Sequence, residues 1–182
     1  MKPADLHHIL QAAASLTNQD QFVVVGSQAI VWQAEQLPDE MTTSMEADIY
    51  PLAAPDLADE IDGNLGEGSR FHDAFGYWAH GVGPETPVAP DGWQARLVPI
   101  VLSRFRHEDG YLTAYLLEAH DLVLAKLAAG RDRDLAYARA AITAGLVSAG
   151  ELQQRVERMP DSHREMARDR LAVVIARPPR KA

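Results

Sequence analysis

Two hydrophobic spacings run along the chain, and the change from one to the other organises it. Behind Pro3, apolar residues fall at Leu6, Leu10, Ala13 and Leu16, a helical period that predicts an amphipathic helix over Pro3–Leu16. Phe22-Val23-Val24-Val25 is a short run of strand formers that ends in Gly26-Ser27 and passes straight into Gln28–Trp32, a segment suited to a helix. The order is strand, tight Gly-Ser turn, helix. After polar residues from Pro38 to Thr43, Ser44–Pro51 reads as a second strand stopped by proline. Period two puts Glu46 and Asp48 on one face of it and Met45, Ala47 and Ile49 on the other.

Pro55-Asp56 opens a helix with Leu57, Ile61 and Leu65 at four-residue spacing and Gly66 and Gly68 to stop it. The aromatic segment Phe71–Val82 reads as another strand, and Pro84–Gly92, with three prolines, as a loop. Strands return at Ala95–Ser103 and Tyr111–Leu117, joined by a turn at His107-Glu108-Asp109-Gly110. Beyond residue 118 the pattern is helical: Asp121–Ala129, apolar on nearly every side except at Lys126 and capped by Gly130, then a helix from near Asp132. Ser148-Ala149-Gly150-Glu151 and Ser162-His163-Arg164-Glu165 have the capping-box form, so two more helices start there, the last ending before Pro178-Pro179. The fold class is α/β (α+β), with a mixed-sheet core over 1–118 and a helical subdomain over 119–182.

Composition narrows the function. At 182 residues, with 47% hydrophobic and 24% charged residues, the chain can bury roughly 70% of its unfolded surface without a disulfide or structural zinc. It has no cysteine, which excludes Fe–S clusters, zinc ribbons and thiol nucleophiles and fits a reducing cytoplasm. No apolar run approaches the ~18 residues of a membrane span, and the first residues mix an acid with two histidines where a signal peptide needs an apolar stretch. The expected location is cytoplasmic. A net charge of −9 argues against broad DNA binding, although Glu151–Ala182 is net +3 against −12 for the rest.

The chemistry concentrates at the first turn and second strand. Residues two apart on a strand lie about 6.6 Å apart at Cα on one face, so Glu46 and Asp48 can converge on a hard cation. Small residues at Gly26-Ser27 let the backbone approach a triphosphate, and free amides at a helix start meet its charge. Lysine is almost never fully buried alone, so Lys126 in its apolar helix either faces a cleft or snorkels to solvent.

With Gly26-Ser27 followed by Ser44-Met45-Glu46-Ala47-Asp48-Ile49, the sequence resembles the minimal nucleotidyltransferases of the DNA polymerase β superfamily, in particular AbiEii-like and related toxin-type proteins. Asp121–Asp134 resembles a second motif of that family, Asp-Leu-x-x-x-Lys-Leu, then Ala-Gly-Arg, then a basic residue and Asp. The resemblance implies a nucleotidyltransferase-like core and Mg²⁺-dependent transfer of a nucleotidyl group from an NTP to an RNA or protein hydroxyl. It also implies a toxin–antitoxin or phage-defence setting with an antitoxin-like partner. Glu46 and Asp48 would hold the metal and, with Lys126, carry catalysis; Gly26, Ser27, Lys126, Arg131 and Asp134 would bind the nucleotide.

Three departures stand out. Eighteen residues separate Ser27 from Glu46, more than the family's usual spacing, and Thr42 stands where an arginine is expected. The third carboxylate that many members carry on a later strand has no counterpart in Arg96–Leu102; Glu108 and Asp109 lie past its end, leaving Asp134 or Asp73 as substitutes. His7, His8, His72 and His80 form no ligand pattern in the sequence, and Trp32, Trp78 and Trp93 read as packing residues. Two other functions stay open: a degenerate member that binds nucleotide or a partner without turnover, and a structural interaction protein acting through its C-terminal helices.

Overall fold

The computed structural model describes residues 1–104 and 110–176. Its centre is a five-stranded mixed sheet in the order β3-β2-β1-β5-β4. The strands are β1 (Gln21–Val25), β2 (Glu46–Pro51), β3 (Trp78–Gly81), β4 (Val98–Arg104) and β5 (Tyr111–Leu116). β1 runs antiparallel to β2 and parallel to β5, while β2 is parallel to β3 and β4 antiparallel to β5. Phe22, Val23, Val24 and Val25 are all buried because β1 sits mid-sheet with both faces covered, so its sequence is a continuous apolar run.

Helix α1 (Pro3–Thr17) covers one face with Leu6, Ile9, Leu10, Ala13 and Ala14. α2 (Ala58–Leu65) and α3 (Arg70–Phe75) lie between β2 and β3, the crossover that a parallel pair requires. α4 (Ala119–Ala129), α5 (Asp132–Thr143), α6 (Ala149–Arg155) and α7 (Asp161–Ala176) follow the last strand. The buried cluster runs without a break from Leu6 through β1 and β5 to Leu124, Ala138 and Leu171. No helix among the described residues is long and apolar enough to cross a membrane.

Several expected elements come out differently. Phe71–Val82 is not one strand: α3 occupies its first part, Gly76 ends that helix at φ +75°, and only Trp78–Gly81 is extended. The segment after the Gly-Ser turn, expected as a helix over Gln28–Trp32, is a 3₁₀ helix over Gly26–Ile30. Another 3₁₀ turn, Trp93–Arg96, takes the start of the strand expected from Ala95. Met45 precedes β2 and stays 38% exposed instead of sharing the buried face with Ala47 and Ile49.

The Ser148 cap forms, its Oγ accepting from the Glu151 amide at 3.3 Å, but the Glu151 carboxylate turns to Arg155. The Ser162 box does not form. Helix α7 starts at Asp161, so Pro160 and not Ser162 stands at the cap, its carbonyl accepting from His163 and Arg164. The turn expected at His107–Gly110 falls largely on residues 105–109, outside the described ones.

Candidate active site

The site is built where β1 ends. Val25 pairs with Asp48 across β1 and β2, so the turn leaving β1 passes directly under the Asp48 carboxylate. Gly26 has φ +63°, and a Cβ on it would sit 1.9 Å from Asp48 Oδ2. Only glycine meets both demands, because the left-handed backbone penalises a side chain and the carboxylate occupies its place. Gln28, buried in the same turn, donates from Nε2 to the Ser44 carbonyl at 2.9 Å and so ties the turn to the approach of β2.

Alternation in β2 does what the sequence predicted: Ala47 and Ile49 are fully buried, while Glu46 and Asp48 face a cleft of about 380 Å³. The cleft is also lined by Ser27, His80, Lys126, Arg131, Arg133 and Asp134. A smaller, mainly apolar compartment of about 200 Å³, with Val25, Val88, Leu122 and Ala125 in its wall, adjoins it across Asp48, Thr86, Lys126 and Arg131.

Helix α4 delivers Lys126. Its side chain is only 11% exposed, and Nζ donates to Ser27 Oγ at 2.7 Å and pairs with Asp134 Oδ1 at 3.4 Å. The ammonium also lies 5.3 Å from the centre of the Tyr137 ring, whose hydroxyl donates to the Ser27 carbonyl at 3.4 Å. Lys126 therefore faces the cleft and does not snorkel. Asp134, on the first turn of α5, is 1% exposed and also accepts from Arg131 Nε at 2.7 Å. The α4–α5 corner turns at Gly130, φ +67°, where a Cβ would meet the Arg170 guanidinium; Arg170 donates there to the Leu127 and Ala128 carbonyls, 2.8 Å each. All seven residues singled out from the sequence, Gly26, Ser27, Glu46, Asp48, Lys126, Arg131 and Asp134, line this cleft or its apolar neighbour.

Burial pushes the Glu46 and Asp48 carboxyls above the ordinary range. The Asp48 charge adds to the rise for Glu46, while His80 and Lys126 counter it for Asp48. Burial also lowers the Lys126 ammonium, against the pull of Asp134. Asp134 goes the other way: burial alone would raise it, but the Arg131 hydrogen bond and the Lys126 charge hold it below the usual carboxylate range.

The sequence missed His80. It stands level with Asp48 in the parallel β2–β3 pair, and its Nδ1 lies 3.2 Å from both Glu46 Oε1 and Asp48 Oδ1. The donor atoms of the three residues fall within 4.8 Å of one another, and two carboxylates with an imidazole are a donor set that fits a divalent ion. β4, where the sequence was searched for a third acid, lies three strands from β2 at the opposite edge. Asp73 lies within α3, not in a loop. Arg133 is a further cleft residue that was not singled out. The three histidines named with it from the sequence are engaged elsewhere, His7 with Ser103, His8 with Tyr77 and His72 against the Trp78 ring.

A second polar cluster braces the helices behind the site. Asp121, fully buried, accepts from Arg96 Nε at 2.7 Å and from Arg155 Nη1 at 3.0 Å, and Arg155 also reaches Glu118 and Glu151. These contacts, with the hydrogen bond from His120 and the charge of Arg155, hold the Glu118 carboxyl well below the usual range although burial opposes it.

Compared with known proteins, residues 4–176 match a family model described as "Nucleotidyltransferase of unknown function (DUF6036)". No curated protein and no solved structure matches the chain.

Proposed function

The chain belongs to this nucleotidyltransferase family, and from that premise we propose that it moves a nucleotidyl group from an NTP to a hydroxyl of RNA or protein, with Mg²⁺ accompanying the triphosphate. One observation carries the reading: the Lys126 ammonium is held 2.7 Å from the hydroxyl of Ser27, on the turn whose glycine abuts Asp48. Cation, phosphate cradle and metal-holding acid meet at one point. Residues 1–118 supply the acids and the turn as an α/β core, and 119–182 supply the cations as a helical subdomain.

In the reaction the acceptor hydroxyl loses its proton to solvent as its oxygen bonds to the α-phosphorus, the bond from that phosphorus to the α–β bridging oxygen breaks, and pyrophosphate leaves. Little covalent work falls to the protein, so its residues position and neutralise. Glu46 and Asp48 would hold a divalent ion, which when bound offsets the charge between acids and phosphates. The Gly26-Ser27 backbone allows close approach of the phosphates, and Lys126 supplies a sparsely hydrated positive charge beside them. Arg131 and Arg133 extend that charge toward solvent, and buried Asp134 acts through Lys126 and Arg131 by fixing their directions. The apolar compartment suits a nucleobase. The motif resemblance supports the narrower toxin-type setting, and co-purification with a small antitoxin-like protein encoded next to it tests that part.

Thermal unfolding with NTP and Mg²⁺ tests the core of the proposal. A ligand at 100 times its dissociation constant adds about 2.7 kcal/mol, roughly 5–10 °C in Tm for a chain of this length. Glu46→Ala or Asp48→Ala should abolish the shift without lowering the stability of the unliganded protein. No shift with any of the four NTPs overturns the reading and favours action through the C-terminal helices. A second reading, a nucleotide-binding protein without turnover, is favoured by one feature: among the described residues an imidazole, not a third carboxylate, stands beside the two acids. A shift without pyrophosphate release would support it.

A further inference from the structure

The inference concerns the kind of ion the site takes, and it rests on the reading of Glu46 and Asp48 as holders of a divalent ion. β2 and β3 are parallel and in register, with Glu46 opposite Trp78 and Asp48 opposite His80, so the imidazole reaches the same sheet face as both acids. His80 Nδ1 is 3.2 Å from an oxygen of each carboxylate. Adjacent donors around an octahedral ion with bonds of about 2.1 Å lie about 3.0 Å apart, so each of the two nitrogen–oxygen spacings matches neighbouring positions on one ion, and the two carboxylate oxygens lie within 4.8 Å of each other. Without an ion, the single Nδ1 hydrogen bond goes to Asp48 Oδ1, and Glu46 Oε1 is approached at the same distance without one. The side chains are 49%, 39% and 26% exposed for His80, Glu46 and Asp48, which would leave coordination positions open to water and substrate oxygens, as in catalytic and not structural metal sites.

We infer that Glu46, Asp48 and His80 form a mixed oxygen–nitrogen site that selects a first-row transition dication over Mg²⁺. Mg²⁺ takes oxygen ligands in near-ideal octahedra and dehydrates reluctantly. An imidazole nitrogen favours softer dications, whose affinities for such sites rise from Mn²⁺ onward along the first row. The protein-held ion thus differs from the Mg²⁺ that arrives with the triphosphate. The missing third acid is then a change of ligand, not the loss of one.

The test is a Mn²⁺ titration of the full-length protein, read by the loss of the free-ion paramagnetic resonance signal and repeated with competing Mg²⁺. Wild type should bind Mn²⁺, and displacement should need about a tenfold or larger excess of Mg²⁺. His80→Asn should weaken Mn²⁺ binding about tenfold or more, since losing even a partner of a metal ligand costs that much. His80→Asp restores an all-oxygen set and should bring the two ions to similar affinity. Circular dichroism checks that each variant folds. Equal displacement by equimolar Mg²⁺ in wild type, or Mn²⁺ binding unchanged in His80→Asn, overturns the inference. Should the substitutions unfold the protein, the wild-type competition decides alone. NTP stabilisation alongside metal binding indifferent to His80 sinks this inference and spares the parent reading; no NTP stabilisation at all sinks the parent reading.

Discussion

Gly26→Ala isolates the contact on which the site is built. Two costs follow from the geometry. At φ +63° a side chain costs about 1–2 kcal/mol in backbone strain. The new methyl would also stand 1.9 Å from Asp48 Oδ2, so the carboxylate must move, which adds about 1–3 kcal/mol as overpacking does elsewhere. Together they amount to roughly 2–5 kcal/mol, or a fall of roughly 4–20 °C in Tm for a chain of this length. In an Asp48→Ala background the atoms in the way are gone, and only the backbone term of about 1–2 kcal/mol should remain. The difference between backgrounds is a coupling energy, measurable by denaturant unfolding of the wild type, both single variants and the double variant. Equal losses from Gly26→Ala in both backgrounds would refute the claim that turn and carboxylate are in contact.

Three other perturbations have defined outcomes. Lys126→Met keeps the stem and removes a buried charge while Asp134 keeps Arg131 as partner, so stability should stay within about 1 kcal/mol. Calorimetric NTP affinity should nevertheless fall about tenfold or more, about 1.4 kcal/mol per decade; unchanged affinity would place Lys126 outside the nucleotide site. Asp121→Ala leaves Arg155 with Glu118 and Glu151 and Arg96 with the Pro90 and Asp91 carbonyls, so it should cost about 1–3 kcal/mol in urea unfolding, and a loss below about 0.5 kcal/mol would contradict the bracing role. Burial raises the Glu46 and Asp48 carboxyl pKa values in the folded protein above their ordinary values, so the folded protein holds these protons longer than the unfolded one. Their contribution to stability is fully present below those values and is lost as pH rises through the folded pKa. Glu46→Gln should therefore raise the Tm of the metal-free protein at pH 7, and the gain should vanish below the unfolded carboxylate range; a gain that persists there argues against repulsion and burial as the cause.

Local pattern and nonlocal pairing account for what was and was not legible in the sequence. Glu46 and Asp48 stood out because period two applies wherever β2 begins, and Lys126 because an ammonium amid apolar helix positions needs a reason. Gly26 was visible as a turn, but its contact with Asp48 depends on the antiparallel register of β1 and β2. His80 escaped because Phe71–Val82 looked uniform in its aromatic content, although Gly76 divides it into a helix and a four-residue strand. Its partner was also hidden: β3 meets β2 only across α2 and α3, and no local period reports a parallel crossover. The same limit sent the search for a third ligand to Arg96–Leu102, which two intervening strands, β1 and β5, separate from the acids. Asp121 read as a helix start because its arginine partners lie 25 residues before it and 34 after it.

Parallel incubations with α-labelled and γ-labelled NTPs, divalent metal and a pool of cellular RNA and protein test the central claim most directly. Nucleotidyl transfer through this cleft predicts that only the α-label enters a macromolecule, that pyrophosphate appears in equal amount, and that Asp48→Ala removes both signals. Labelling from the γ-position, or α-labelling that survives Asp48→Ala, would contradict it.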